Sequence, residues 1–129
     1  MIRVIYANYE AMDKETRLKI IHDGEKPTRE MCRNLYTEVK RHKFCDFGHK
    51  KGVDDSITLS KVYEYYNLNA HNLGLRSISV GDLIEIGTNM YIVAKVGFER
   101  VSFKKDKETM INKGGKLNAF AKKVKGVYS

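Results

Sequence analysis

Arg76-Ser-Ile-Ser-Val-Gly-Asp-Leu-Ile-Glu-Ile-Gly-Thr-Asn-Met-Tyr-Ile-Val-Ala-Lys-Val-Gly-Phe-Glu-Arg-Val-Ser-Phe103 carries the densest β signal in the chain. Ile78 and Val80 alternate with Ser77 and Ser79 until Gly81-Asp82 interrupts the run, and Leu83, Ile84 and Ile86 resume it. Gly87-Thr88-Asn89 then separates that strand from Met90–Val96, which is rich in β-branched and aromatic residues. A short loop containing glycine between two apolar runs is a hairpin signal, because glycine takes the positive φ that tight hairpin turns need. Gly97 breaks the pattern again before Phe98, Val101 and Phe103. The stretch predicts a meander of three to four antiparallel strands, and it holds no nucleophile, metal cluster or phosphate loop.

The rest of the composition fits one α+β domain over residues 1–129. Hydrophobic residues make up 42% of the chain and charged residues 31%, which excludes a disordered protein. A chain of this length buries a core without covalent staples. No apolar run approaches the ~20 residues that a membrane span needs. Met1-Ile-Arg-Val-Ile-Tyr6 alternates as a strand and lacks the pattern of a signal peptide. Cys32 and Cys45 are too few for a disulfide framework and are expected as free thiols in a cytoplasmic protein.

Charge is unevenly spread. Between Lys95 and Ser129 ten Lys/Arg face three acidic residues, so this third holds +7 of the net +8. That asymmetry points to an acidic partner, either nucleic acid or an acidic protein surface, against the plain alternative of solvated lysines. Within the tail, Leu117, Phe120, Ala121 and Val124 recur at helical spacing behind Gly114-Gly115. They predict a basic amphipathic helix near 116–125.

Upstream, Leu18, Ile20 and Ile21 before Asp23-Gly24 predict a short strand. Thr28 is a candidate cap for a helix over about 28–41. Met31, Leu35 and Val39 form its apolar stripe beside Cys32 and Tyr36, with Arg29, Arg33, Glu38 and Lys40 opposite. A second helix over about 58–66 carries Leu59, Val62, Tyr63 and Tyr66 at i, i+3, i+4 and i+7, capped by Ser56 or Thr58. Both helices are expected on one face of the sheet. The tyrosine stripe reads as core, with hydroxyls at the rim.

Lys40-Arg-His-Lys-Phe-Cys-Asp-Phe-Gly-His-Lys-Lys51 interleaves basic residues with Phe44 and Phe47. Such a mixture binds single-stranded nucleic acid by stacking and phosphate contact, or it is a basic loop whose phenylalanines plug the core. Cys32, His42, Cys45 and His49 supply the number of ligands zinc needs, but their spacing matches no standard finger. Cys32 on an apolar stripe reads as a small buried hydrophobe. No metal site and no cofactor is assigned.

Three segments resemble one family when taken together. Leu59-Ser-Lys-Val-Tyr-Glu-Tyr-Tyr-Asn67, Arg76-Ser-Ile-Ser-Val-Gly-Asp-Leu-Ile-Glu-Ile86 and Tyr91-Ile-Val-Ala-Lys-Val-Gly-Phe-Glu-Arg-Val101 are similar to the YodL-like domain, over about residues 54–103. Phe98 stands where that pattern commonly has tryptophan. An insertion at about 10–52 and the basic tail also depart from it. The resemblance implies an accessory or regulatory protein of Gram-positive phages and mobile elements, and it carries over no catalytic residue.

The expectation is therefore a non-enzymatic binding protein that modulates or inhibits a host protein, nucleic-acid-associated defence systems included. The alternative is direct binding of nucleic acid. Either reading uses Lys40, Arg41, Lys43, Phe44, Lys50 and Lys51, with Lys104, Lys105, Lys116, Lys122, Lys123 and Lys125 from the tail. No carboxylate pair, nucleophile set or phosphate loop supports an enzyme.

Overall fold

Alternation along Ile2-Arg-Val-Ile-Tyr-Ala7 sends Ile2, Val4 and Tyr6 to one side of a strand and Ile5 and Ala7 to the other. Both sides are apolar, so this strand needs cover on both. The computed structural model, which describes residues 1–103, places it inside a five-stranded antiparallel sheet of order β2-β1-β3-β4-β5. The strands are β1 (Ile2–Ala7), β2 (Tyr36–His42), β3 (Leu83–Ile86), β4 (Asn89–Val93) and β5 (Phe98–Val101). The helices are α1 (Lys14–Ile21), α2 (Arg29–Leu35), α3 (Asp55–Leu68) and the single turn α4 (Ala70–Leu73). The α+β architecture and the β3-β4-β5 meander are as the sequence predicts.

Two cores result. Ile2, Val4, Tyr6, Ile84, Ile86 and Val93 pack beneath Leu59, Val62 and Tyr66 of α3. On the other face, Ile5, Ala7, Leu83 and Ile92 pack with Met12, with Ile20 of α1 and with the α2 stripe Met31, Cys32 and Leu35. The helices thus cover both faces instead of one, which the two-sided β1 requires. Each fully buried Ile, Leu or Val contributes about 1.5–3 kcal/mol, so neither face could be left bare. On the α2 face, Arg3 bridges Glu38 on β2 at 2.7 Å and Glu85 on β3 at 2.6 Å, pinning three strands in register.

Four local expectations are corrected, the first being the cap of α3, which is Asp54 accepting from the Ser56 amide at 2.8 Å and neither Ser56 nor Thr58. The apolar spacing Met31, Leu35, Val39 does not continue as helix. Helix α2 is capped by Thr28 as expected, but it stops at Leu35, and Tyr36–His42 is strand β2 paired with β1. The backbone turns extended at Tyr36, whose hydroxyl donates to the Gly81 carbonyl at 2.8 Å, and a bulge opposite Val4/Ile5 absorbs one residue. Leu18, Ile20 and Ile21 lie on helix α1, because the Asp13 carboxylate accepts from the Thr16 amide and nucleates a turn. Ile78 and Val80 belong to no strand, since the Asp82 carboxylate takes the Ser79 amide that a ladder would use. Gly87, at φ +63°, forms with Thr88 the tight β3-β4 hairpin turn that the sequence signalled.

Candidate partner-binding surface

Strand β2 is an edge, and its last residues run straight into the basic segment. Lys40 and Arg41 are exposed there. Arg41 donates to Glu38 at 2.6 Å, and Glu38 also receives Arg3. These two guanidinium groups hold the Glu38 carboxyl below its usual range, Arg41 contributing most. Part of the Arg41 charge is thereby spoken for, whereas Lys40 has a free ammonium among the described ion pairs.

Beyond β2 the chain folds into a turn fixed from beneath by aromatic and imidazole side chains. The backbone amide of Lys43 donates to the Asp46 carboxylate at 2.9 Å, opening one 3-10 turn over Phe44–Phe47. The amide of His49 closes it by donating to the Phe44 carbonyl at 2.9 Å. His42 stands edge-on to Phe47 with centroids 4.9 Å apart and lies 2.5 Å from the Tyr66 hydroxyl. Burial pushes the His42 imidazole down, opposed by Asp46 and reinforced by nearby Lys40. Phe47 also meets Tyr65 edge-on at 5.6 Å.

His49 makes the second anchor. Its Nδ1 lies 2.6 Å from the Thr58 hydroxyl, and its Nε2 lies 3.6 Å from Asp55. Asp55 in turn accepts from Asn89 Nδ2 at 3.1 Å and from the Tyr91 hydroxyl, tying segment, helix α3 and strand β4 together. Burial, and then the bond to Asp55, push the Tyr91 hydroxyl up to about 12. A hydroxyl, an imidazole and a carboxylate thus stand in a row, but Thr58 is fully buried and no substrate reaches its oxygen. The row is a tether.

Lys43, Lys50 and Lys51 point outward from this tethered frame. Phe47 is turned in against the α3 core, while Phe44 tilts against His49 at 5.4 Å and remains 38% exposed. Lys40, Arg41, Lys43, Phe44, Lys50 and Lys51 are thus each exposed along one short stretch of chain. Lys104, Lys105, Lys116, Lys122, Lys123 and Lys125, together with the helix expected near 116–125, lie outside the described residues. The sequence reading missed Tyr65 and Lys61. Tyr65 packs on Phe47, and the Lys61 ammonium lies 3.5 Å from the Phe47 carbonyl. The doubled tyrosine in Tyr63-Glu-Tyr-Tyr66 was the available signal, since one helix face cannot bury all three.

The Cys32, His42, Cys45, His49 set is not assembled. Cys32 packs beneath α2 on the opposite face, where burial raises its thiol pKa. Both cysteines are free. Among the described residues no three His, Cys, Asp or Glu side chains are placed to hold a metal ion. No helix of the described residues is long and apolar enough to cross a membrane.

No family model, curated protein or solved structure matches the chain.

A second basic region borders the place where the tail begins. Arg29 lies over the Phe103 ring at 5.1 Å, and the two line an open groove of about 610 Å³ with Arg33, with Glu30 and with Lys26, which is itself paired to Glu99 at 3.1 Å.

Proposed function

We propose that this chain is a non-enzymatic binding protein that docks an acidic surface of a host macromolecule through the 40–51 segment and the basic tail. One observation carries the reading: Lys40, Lys43, Lys50 and Lys51 are displayed outward from a stretch whose histidines and Phe47 are fastened to α3. Side chains on a pre-ordered frame lose less entropy on binding than those on a mobile loop. The YodL-like resemblance supports a regulatory role on a host protein in the cytoplasm, in the manner of phage and mobile-element accessory proteins. A second reading, direct binding of single-stranded nucleic acid, is favoured by the partly exposed ring of Phe44 beside these lysines.

Capture of partners from a bacterial lysate, with and without nuclease, tests both. A protein retained after nuclease treatment supports the first reading. Bound nucleic acid, with affinity falling steeply as salt rises, supports the second, because each phosphate contact releases counterions. Lys43→Glu, Lys50→Glu and Lys51→Glu together should abolish either interaction while the melting transition stays near that of the parent. Retention of every partner by the triple variant overturns the proposal.

A further inference from the structure

Helix α3 buries Thr58, Leu59, Val62 and Tyr66, and its opposite side bears a different pattern. Ile57, Lys61, Glu64 and Leu68 follow one another at steps of four, three and four, the spacing of a heptad seam. Ile57 is 52% exposed and Leu68 is 74% exposed, although both are large aliphatics on a regular helix. Neither Lys61 nor Glu64 takes part in an ion pair among the described residues. Within residues 1–103 the stripe has one contact, the long 3.5 Å approach of the Lys61 ammonium to the Phe47 carbonyl, and Ile57 and Leu68 stay uncovered.

The stripe is complementary to itself when reversed. Its ends are both aliphatic, its middle is one cation and one anion, and the four positions are symmetric about a point between Val62 and Tyr63. A parallel pairing would set Lys61 against Lys61 and Glu64 against Glu64. An antiparallel pairing about a two-fold axis sets Ile57 against Leu68 and Lys61 against Glu64, each twice. A two-fold contact must be self-complementary in this sense.

We propose that the α3 stripe is the interface of a homodimer, two copies packing α3 antiparallel through Ile57, Lys61, Glu64 and Leu68. The aliphatic ends supply the attraction, and the charged middle fixes direction and rejects the parallel register. One helix pair of this length falls short of the roughly 1,200 Å² that marks stable interfaces, so the dimer forms by mass action in the micromolar range. Tyr65, which packs on Phe47, flanks the seam, so pairing carries two basic segments on one particle. Such a dimer engages a repeated partner with avidity, whatever the chemistry of that partner.

Sedimentation velocity on the full chain from about 1 µM to about 1 mM tests the inference, a range that spans weak self-association. The parent should shift from monomer to dimer as concentration rises. Glu64→Lys should weaken dimerisation at least tenfold, by facing lysine with lysine, and Lys61→Glu should do the same by facing glutamate with glutamate. The double exchange K61E/E64K should restore the parent constant to within a few fold, because the pairing is rebuilt with signs reversed. Leu68→Gln, at an exposed position that cannot disturb the core, should weaken dimerisation without touching charge. A parent that stays monomeric throughout, a dimer indifferent to Glu64→Lys, or a double exchange no better than either single variant overturns the proposal.

Discussion

The carboxylate of Asp82, fully buried, accepts two hydrogen bonds from the Arg76 guanidinium, at 2.7 and 2.8 Å. The same carboxylate accepts the amides of Ala7 and Ser79, each at 2.8 Å, and Arg76 lies over the rings of Tyr6 and Tyr9. Both carboxylate oxygens and both terminal guanidinium nitrogens are used, Arg76 also donating to the Ala7 carbonyl at 2.9 Å. Arg76→Met keeps the aliphatic stem but strands the buried carboxylate, and should cost about 3 kcal/mol, the low end for breaking a buried pair. The low end applies because the Arg76 side chain is itself 37% exposed and screened by water. Urea unfolding of parent and variant measures it, and a loss below about 1 kcal/mol would reduce the pair to an ordinary surface contact.

Gly81 precedes Asp82 at φ +97°, and a Cβ there would lie 3.0 Å from Ile20 and 3.1 Å from the Tyr9 hydroxyl. Gly81→Ala should therefore destabilise by roughly 1–3 kcal/mol through strained backbone alone. Thermal unfolding at fixed pH is the check, with Gly97→Ala, where nothing stands within 4 Å, as the less crowded comparison.

Ile84 is fully buried at the centre of β3. Ile84→Asp should prevent folding, because an unpaired carboxylate in that core has no partner. Circular dichroism of the purified variant decides it, and a parent-like melt would contradict the register.

Stability should fall at both ends of the pH scale. Burial holds the His42 pKa below 6.5, so the unfolded chain binds a proton first as pH drops. The contribution of neutral His42 is present above about 6.5 and is lost as pH falls through the depressed value. Tyr6 and Tyr91 are both raised to about 12, chiefly by burial, so their contributions hold below pH 10 and disappear as pH rises through about 12. His42→Phe should flatten the acid limb of a stability-versus-pH curve, and Tyr91→Phe should flatten the alkaline limb.

Much of this fold was legible because its local signals agreed with its tertiary ones. The β3-β4 hairpin had its glycine turn, and α3 had its apolar spacing. The segment Tyr36–His42 was not legible. Its helical spacing through Val39 was accidental, and an edge strand with a bulge shows no clean alternation to set against it. The strand exists because β1 offers an unpaired edge, which no local window can see. The basic segment was found from composition, but its rigidity was not. The spacing of His42 and His49 assigns them no partner, and the structure pairs them with the Tyr66 and Thr58 hydroxyls on a helix further along the chain.

Strand β1 is flanked by β2 on one side and β3 on the other, and its pairing with β3 joins residues about 80 positions apart. A chain emerging from the ribosome makes β1 first and must hold it until Leu83–Ile86 arrives. During that interval β2 and the helices that cover β1 are already made, but the β3 side of β1 presents an open ladder to any other nascent chain. Closing so long a loop also makes folding slow compared with a helical domain of similar size. Yield from a translating cell is therefore set by the arrival of β3, and synonymous changes that slow elongation between residues 43 and 82 should lower soluble yield without altering the native protein.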